Sequence, residues 1–321
     1  MTLRTPGLDE MRTGNTPAFS AEPAGYLHPA YARALNEFGT PCPLRRSGGW
    51  LLRRAIPGTP FHDAMCCYPY LTCTNWSRLA DDLRELGDEL VSFAAVPDPF
   101  GGHCLAELHE AFPDRLVHIK DHFVADLSLP PEAIISSHHQ RESDRAMRKV
   151  KVILSDAPTE HLNTWLQLFA HARSRFAIRG IRAFSREVFA RHLALPGAFM
   201  SLAYYEGEAV AAHIQLVHGD VAYAHMAADA PLARKLGAAY ALYRAEIEYF
   251  SGKAAWIDWG GEAGLGGEGK LSAFKAGWST GTRPAYFCGR IMNPACYAAL
   301  TSGERTDAAG YFPAYRSGEF A

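Results

Sequence analysis

The sequence lacks nearly every feature that assigns a chain at a glance. Net charge is almost absent: among 321 residues, 32 Lys plus Arg face 34 Asp plus Glu, a formal −2. No run approaches the roughly 18 apolar residues that a membrane-spanning helix needs. The N-terminus has no basic, then apolar, then small-residue leader. These absences predict a cytoplasmic protein without a membrane span. The seven cysteines (Cys42, Cys66, Cys67, Cys73, Cys104, Cys288, Cys296) are odd in number and form no CxxC pair. That argues against a disulfide framework and a zinc ribbon, and predicts reduced, mostly buried thiols. HExxH, Walker and GxSxG motifs are missing. The glycine-rich stretch 260–269 lacks the strand-to-long-helix setting of a dinucleotide fingerprint, so NAD binding is rejected. His118 and His122, four apart on a strand, would stand about 13 Å apart, too far to share a metal. No metal and no resident cofactor are expected.

What is present is apolar mass. Hydrophobic residues make up 48% of the chain, enough for one large core or two modest ones. Charge, neutral in sum, is uneven in place. From Arg141 to Arg191 eleven basic residues face five acidic ones, an excess of six positive charges against eight negative charges elsewhere. Arg145, Arg148, Lys149 and Arg179 head the candidates for contact with a polyanion such as RNA or a phosphorylated cofactor. A set of solvated, arginine-rich helix faces is the competing reading.

Residues 1–40, rich in Pro, Gly and Thr, read as an N-terminal arm, mobile or draped. Trp76, Leu79, Leu83, Leu86 and Leu90 space out one helix face, and 90–96 reads as a buried strand. A short helix near 106–112 and a strand at 116–120 complete a first half, 41–129, that alternates strand and helix. Pro130-Pro131-Glu132 opens a helix expected to reach Lys149, followed by a strand at 150–154. Helices are predicted over 159–175 and 185–193. A three-strand meander follows over 199–205, 208–217 and 221–227, then a long helix over 236–250 and a strand over 255–259. A short segment at 271–278 and a strand at 284–288 complete a second half, 130–300. The tail 301–321, with Tyr311, Phe312 and Tyr315, is expected to dock on the body. The fold class is mixed α/β.

Helix, helix, three antiparallel strands, helix, strand, short helix, strand is an element order that resembles the GNAT acyltransferase superfamily. Arg234-Lys235-Leu236-Gly237-Ala238-Ala239 resembles its R/Q-x-x-G-x-G/A turn, where free backbone N–H groups opening a helix hold a pyrophosphate. Asp258-Trp259-Gly260-Gly261 followed by Phe274-Lys275-Ala276-Gly277-Trp278 is similar to the FemAB-like branch, which has a strand ending in Asp-x-Gly before a Phe-Lys element. The helix ending Arg145-x-x-Arg148-Lys149 also resembles that branch, where it bridges two GNAT-like halves.

The resemblance implies an N-acyltransferase. Arg234, Lys235, Gly237, Ala238 and Ala239 would bind the donor, and Lys275 would lie beside the acyl-transfer centre and stabilise negative charge. Asp258, at a strand end, could orient the amine or act as base. His225, near the end of the strand that opens at 221, could take the amine proton, or be a hydrogen-bonded structural histidine. His213 and Gln215, two apart on one strand face, could reach the acceptor, or be polar residues on an exposed sheet face. Aminoacyl-tRNA comes first as donor and acyl-CoA second, each a co-substrate, with a small-molecule or carrier-bound amine as acceptor. A GNAT-like module that binds without catalysing is the remaining reading. The absence of a coiled-coil insertion and the short first half leave the peptidoglycan precursor in doubt as acceptor.

Overall fold

The computed structural model describes residues 23–261, 269–301 and 310–319. In chain order the elements are α1 (Pro29–Ala34), β1 (Thr40–Leu44), β2 (Gly49–Ala55), β3 (His62–Cys66), α2 (Leu79–Leu86), β4 (Ser92–Ala95), α3 (Leu105–Ala111) and β5 (Arg115–Asp126). There follow α4 (Pro131–Ile134), α5 (Ser137–Met147), β6 (Lys151–Ser155), α6 (Leu162–Phe176), α7 (Arg186–Leu193), β7 (Ala198–Tyr205), β8 (Glu208–His218) and β9 (Val221–Asp229). The last are α8 (Ala233–Leu236), α9 (Ala238–Phe250), β10 (Trp256–Asp258), α10 (Lys270–Ala276), β11 (Gly281–Ile291) and α11 (Pro294–Leu300).

These elements form two compact units whose limits differ from boundaries at 129/130 and 300/301. Among the described residues, one unit comprises 23–28, 120–178, 184–261 and 269–283; the other comprises 29–119, 179–183, 284–301 and 310–319. The chain changes unit inside β5 and again inside β11, so neither unit is continuous in sequence. Part of the expected arm is ordered: Pro29–Ala34 is helical, with Tyr31, Ala32 and Ala34 buried. Residues 1–22 lie outside the described residues.

Each unit repeats one motif. In the unit holding most of the N-terminal half, β1, β2 and β3 form an antiparallel meander, α2 follows, and β4 pairs parallel with β3. In the other unit β7, β8 and β9 form the meander, α9 follows, and β10 pairs parallel with β9. The parallel strand then takes an antiparallel neighbour, Cys288–Ile291 of β11 beside β4 and Val124–Asp126 of β5 beside β10. The fold class is mixed α/β, as the alternation of elements implied.

In the second of these units, alternate residues of the sheet face α9. Phe199, Val217, Ala222 and Ile257 pack with Tyr243, Ile247 and Phe250 in one apolar cluster. Trp165 and Phe169 of α6 stack on each other and meet Phe189 of α7 edge to face, with ring centroids 4.9 to 5.9 Å apart. In the other unit the tail is fastened. Arg316 holds buried Asp63 at 2.9 Å, and Tyr315 reaches Ser92 at 2.7 Å.

One expected helix is two. Ile135 is extended, with ψ 123°, and ends α4; the Ser136 side chain then accepts the His139 N–H and starts α5. A serine cap inside a helical pattern supplies a competing partner for the backbone.

Candidate active site

The centre of the unit holding β7 to β10 is a strand pair that parts. Val221–Tyr223 of β9 pair with Trp256–Asp258 of β10, and there the ladder ends. β9 runs on to Asp229 with only β8 beside it, leaving the backbone of Ala224–Asp229 along an opening. The β8–β9 register passes from Gln215↔Ala224 to Ile214↔Met226, so His225 is the extra residue of a bulge.

That bulge encloses the His225 ring. Tyr26, Phe184 and His192 ring it at centroid distances of 5.6 to 6.0 Å. Its Nδ1 lies 2.9 Å from the Tyr26 hydroxyl, and its Nε2 is shut off from solvent. Burial lowers its pKa to about 3. So weak a base holds a proton poorly at neutral pH. The same shift predicts an acid limb in stability. The unfolded chain takes up a proton below the ordinary 6.5 while the folded one does not until about 3, so stability falls as pH drops through that window. One proton contributes at most about 1.4 kcal/mol per pH unit. His225→Gln should flatten the limb by up to that slope, read from denaturant unfolding at successive pH values; an unchanged slope refutes the assignment. His192, also lowered well below its usual value, by burial first and by His225 second, adds to the limb in the wild type.

At the end of β10 several candidates converge. Asp258 is 2% exposed and meets Nδ1 of His122, on β5, at 3.0 and 3.1 Å through its two oxygens. The same carboxylate accepts the Gly260 N–H at 2.7 Å. Gly260 has φ +70°, the left-handed region that favours glycine. At Gly261 a Cβ would come within 2.7 Å of the Lys120 side chain. The Gly261 carbonyl accepts the Lys275 ammonium at 2.7 Å. Lys275 is only 8% exposed. Asp258 and Lys275 thus grip one two-glycine turn. Residues 262–268 of the expected glycine loop lie outside the described residues.

The helix carrying Lys275 is itself seated. The His139 ring fills the space above Gly277, where a Cβ would strike it at 2.2 Å, and His139 Nε2 lies 3.0 Å from the Phe274 carbonyl oxygen. His139 is buried, its ring set against Tyr240 of α9 and against Phe274 and Trp278.

His213 and Gln215 are buried, not on an exposed face. They point to α9, where Glu246, wholly buried, takes His213 Nδ1 at 2.9 Å and the Ser201 hydroxyl on the same oxygen. Sequence reasoning missed Glu246 and His122. A lone carboxylate on the apolar stripe of α9 was a signal for the first. Nothing in the sequence joined His122 to a residue 136 positions away.

Gly237, with φ +72°, forms the turn between α8 and α9, and its missing Cβ would lie 3.3 Å from Ala146 of α5. The donor candidates Arg234, Lys235, Gly237, Ala238 and Ala239 therefore sit against the end of α5 that carries Arg145, Arg148 and Lys149. Arg234, Lys235, Arg145, Arg148 and Lys149 are exposed. Arg145 is paired with Glu142. Arg179 belongs to the other unit. Among the described residues no group of three or more His, Cys, Asp or Glu could hold a metal ion, and no helix is long and apolar enough to cross a membrane.

Comparison with known proteins agrees with this geometry. Residues 138–269 match the family described as an acetyltransferase (GNAT) domain. No curated protein matches the sequence. Among solved structures, FemX is similar at 14% identity, with a TM-score of 0.62 over 87% of this chain and 95% of that one. L-PGS from Bacillus licheniformis is similar at 14% identity, with a TM-score of 0.59 over 88% of this chain and 98% of that one. The parted strands, the glycine turn and these matches converge: residues 138–269 match the acetyltransferase (GNAT) domain, in a chain that has the fold of FemX.

Proposed function

We propose that the chain transfers an aminoacyl group from aminoacyl-tRNA to an amine acceptor, forming an amide. The observation that carries this reading is the junction of α5 with the α8–α9 turn, which gathers Arg148, Lys149, Arg234 and Lys235 around a helix start. That is more positive charge than the pyrophosphate of a lone CoA would need, and it suits a nucleic-acid backbone. The ester carbonyl would sit in the opening beside Ala224–Asp229, where strand N–H groups can hold its oxyanion. The Lys275 ammonium would face the developing charge or the leaving ribose oxygen. His122, oriented by Asp258, would take the amine proton. His213 and Gln215, the acceptor candidates, lie on the α9 side of the same sheet.

The glycine turn opening α9 also favours a second reading, an acyl-CoA donor held by the same backbone N–H groups. Mass spectrometry separates the two. The protein is incubated with a panel of amines and either charged tRNA or acetyl-CoA. An aminoacylated amine from the tRNA arm is expected; acetylated product with no transfer from tRNA would overturn the first reading.

Salt gives an independent measure. Binding of tRNA should weaken steeply as salt rises, because counterions return to the RNA. Arg148→Ala, Lys149→Ala and Arg234→Ala should each reduce the log–log slope by about 1. Binding that ignores salt would remove tRNA from consideration.

A further inference from the structure

We infer that Phe176 is a stacking platform for an unpaired nucleobase near the 3′ end of the RNA donor, an inference that rests on the donor reading above. Phe176 is the last residue of α6 and is 61% exposed, the largest value among the exposed large hydrophobics of the described residues. The helix does not simply fray there. Ala177 caps it in the left-handed region, with φ 47°, and its N–H returns to the Arg173 carbonyl. A non-glycine residue at positive φ sets the backbone course at the end of α6.

The ring is also braced. The Arg175 guanidinium lies 4.3 Å from its centroid, and Arg175 is pinned in turn by two hydrogen bonds to Asp229, at 2.6 and 2.8 Å. With its charge matched by Asp229, Arg175 acts here as a flat support rather than as a phosphate ligand. Arg173 on the same helix end is exposed and has no such role, leaving it available to a phosphate.

Position argues for RNA. Asp229 ends β9, and the residues after it lead to Arg234 and Lys235 at the donor turn. From Ala224, where β9 leaves β10, to Asp229 is about 16 Å of strand. The platform therefore takes a base upstream of the acylated end, not the acylated nucleotide itself. An aromatic face beside a basic row is how proteins hold single-stranded nucleic acid, and stacking tolerates any base.

The test compares two RNA hairpins, one with a short unpaired 3′ overhang and one with a blunt end, by fluorescence anisotropy. The wild type should prefer the overhang. Phe176→Ala should lose that preference, weakening overhang binding by roughly 5- to 100-fold with an unchanged salt slope. Phe176→Trp should retain it, and Arg173→Ala should flatten the slope instead. If Phe176→Ala binds both hairpins as the wild type does, while the wild type still transfers from charged tRNA, the platform falls and the donor reading stands. If the wild type binds neither hairpin, both fall. Loss of CoA binding, or of binding to anionic phospholipid vesicles, without loss of overhang binding would also overturn the inference.

Discussion

Replacing Lys275 by alanine is expected to lower the single-turnover rate by about 10² to 10³ at saturating donor, the range for losing one preorganised donor at an oxyanion. The ammonium is almost wholly enclosed and aimed at the Gly260-Gly261 turn that ends β10. In so dry a place a positive charge acts strongly on a developing negative one. Lys275→Arg should recover little, since a planar guanidinium cannot take the place of a compact ammonium. Alanine also leaves the Gly261 carbonyl without this donor, so thermal unfolding of the variant belongs in the same experiment. Weaker donor binding at an unchanged single-turnover rate would move Lys275 onto a phosphate. An unchanged rate with unchanged binding would end its catalytic assignment.

A loss of about 10² to 10⁴ is expected from Asp258→Asn, through His122. The carboxylate holds the imidazole Nδ1 with both oxygens and also takes the Gly260 N–H. Asparagine can keep one of these contacts but not the negative charge beside the ring. His122→Gln completes the test, because glutamine can donate to Asp258 yet cannot take up a proton. If both variants lose rate and keep donor affinity, His122 is the proton acceptor and Asp258 its positioning residue. If His122→Gln retains full rate while Asp258→Asn does not, the carboxylate itself is the base. Full rate in both removes the pair from the mechanism.

The fold class was legible because the strands of the C-terminal half carry their turns openly: Glu206-Gly207 and His218-Gly219-Asp220 fall where β7, β8 and β9 meet. β1 was not, since its sequence is Thr-Pro-Cys-Pro-Leu. Two prolines argue against a strand until the sheet order shows β1 at an edge, where Pro41 and Pro43, two apart, turn the same side away from β2. The break at Ile135-Ser136 was hidden because Ser caps and Ser within a helix look alike in one sequence. At the site, Asp258 and Lys275 stood out through their glycine and aromatic neighbours. The pairing of His122 with Asp258 depends on the register of β5 against β10, in which Val124 meets Asp258. Register between distant strands leaves no local trace. The same holds for His225, whose enclosure comes from Tyr26, Phe184 and His192 on three other segments.

The exchange of units inside β5 and β11 has a consequence for the order in which the protein is made. Synthesis completes β4 early, but the strand that covers its other side, Cys288–Ile291, is made only after Lys120–Arg283. Arg316, which compensates the buried Asp63 carboxylate, emerges later still. Most of the unit holding β1–β4 is thus made well before the strand that completes it, and it waits with an unpaired strand edge. A premature stop near residue 284 would spare the described elements of residues 138–269 and strike the unit holding β1–β4 instead, giving a truncated product that aggregates through β4.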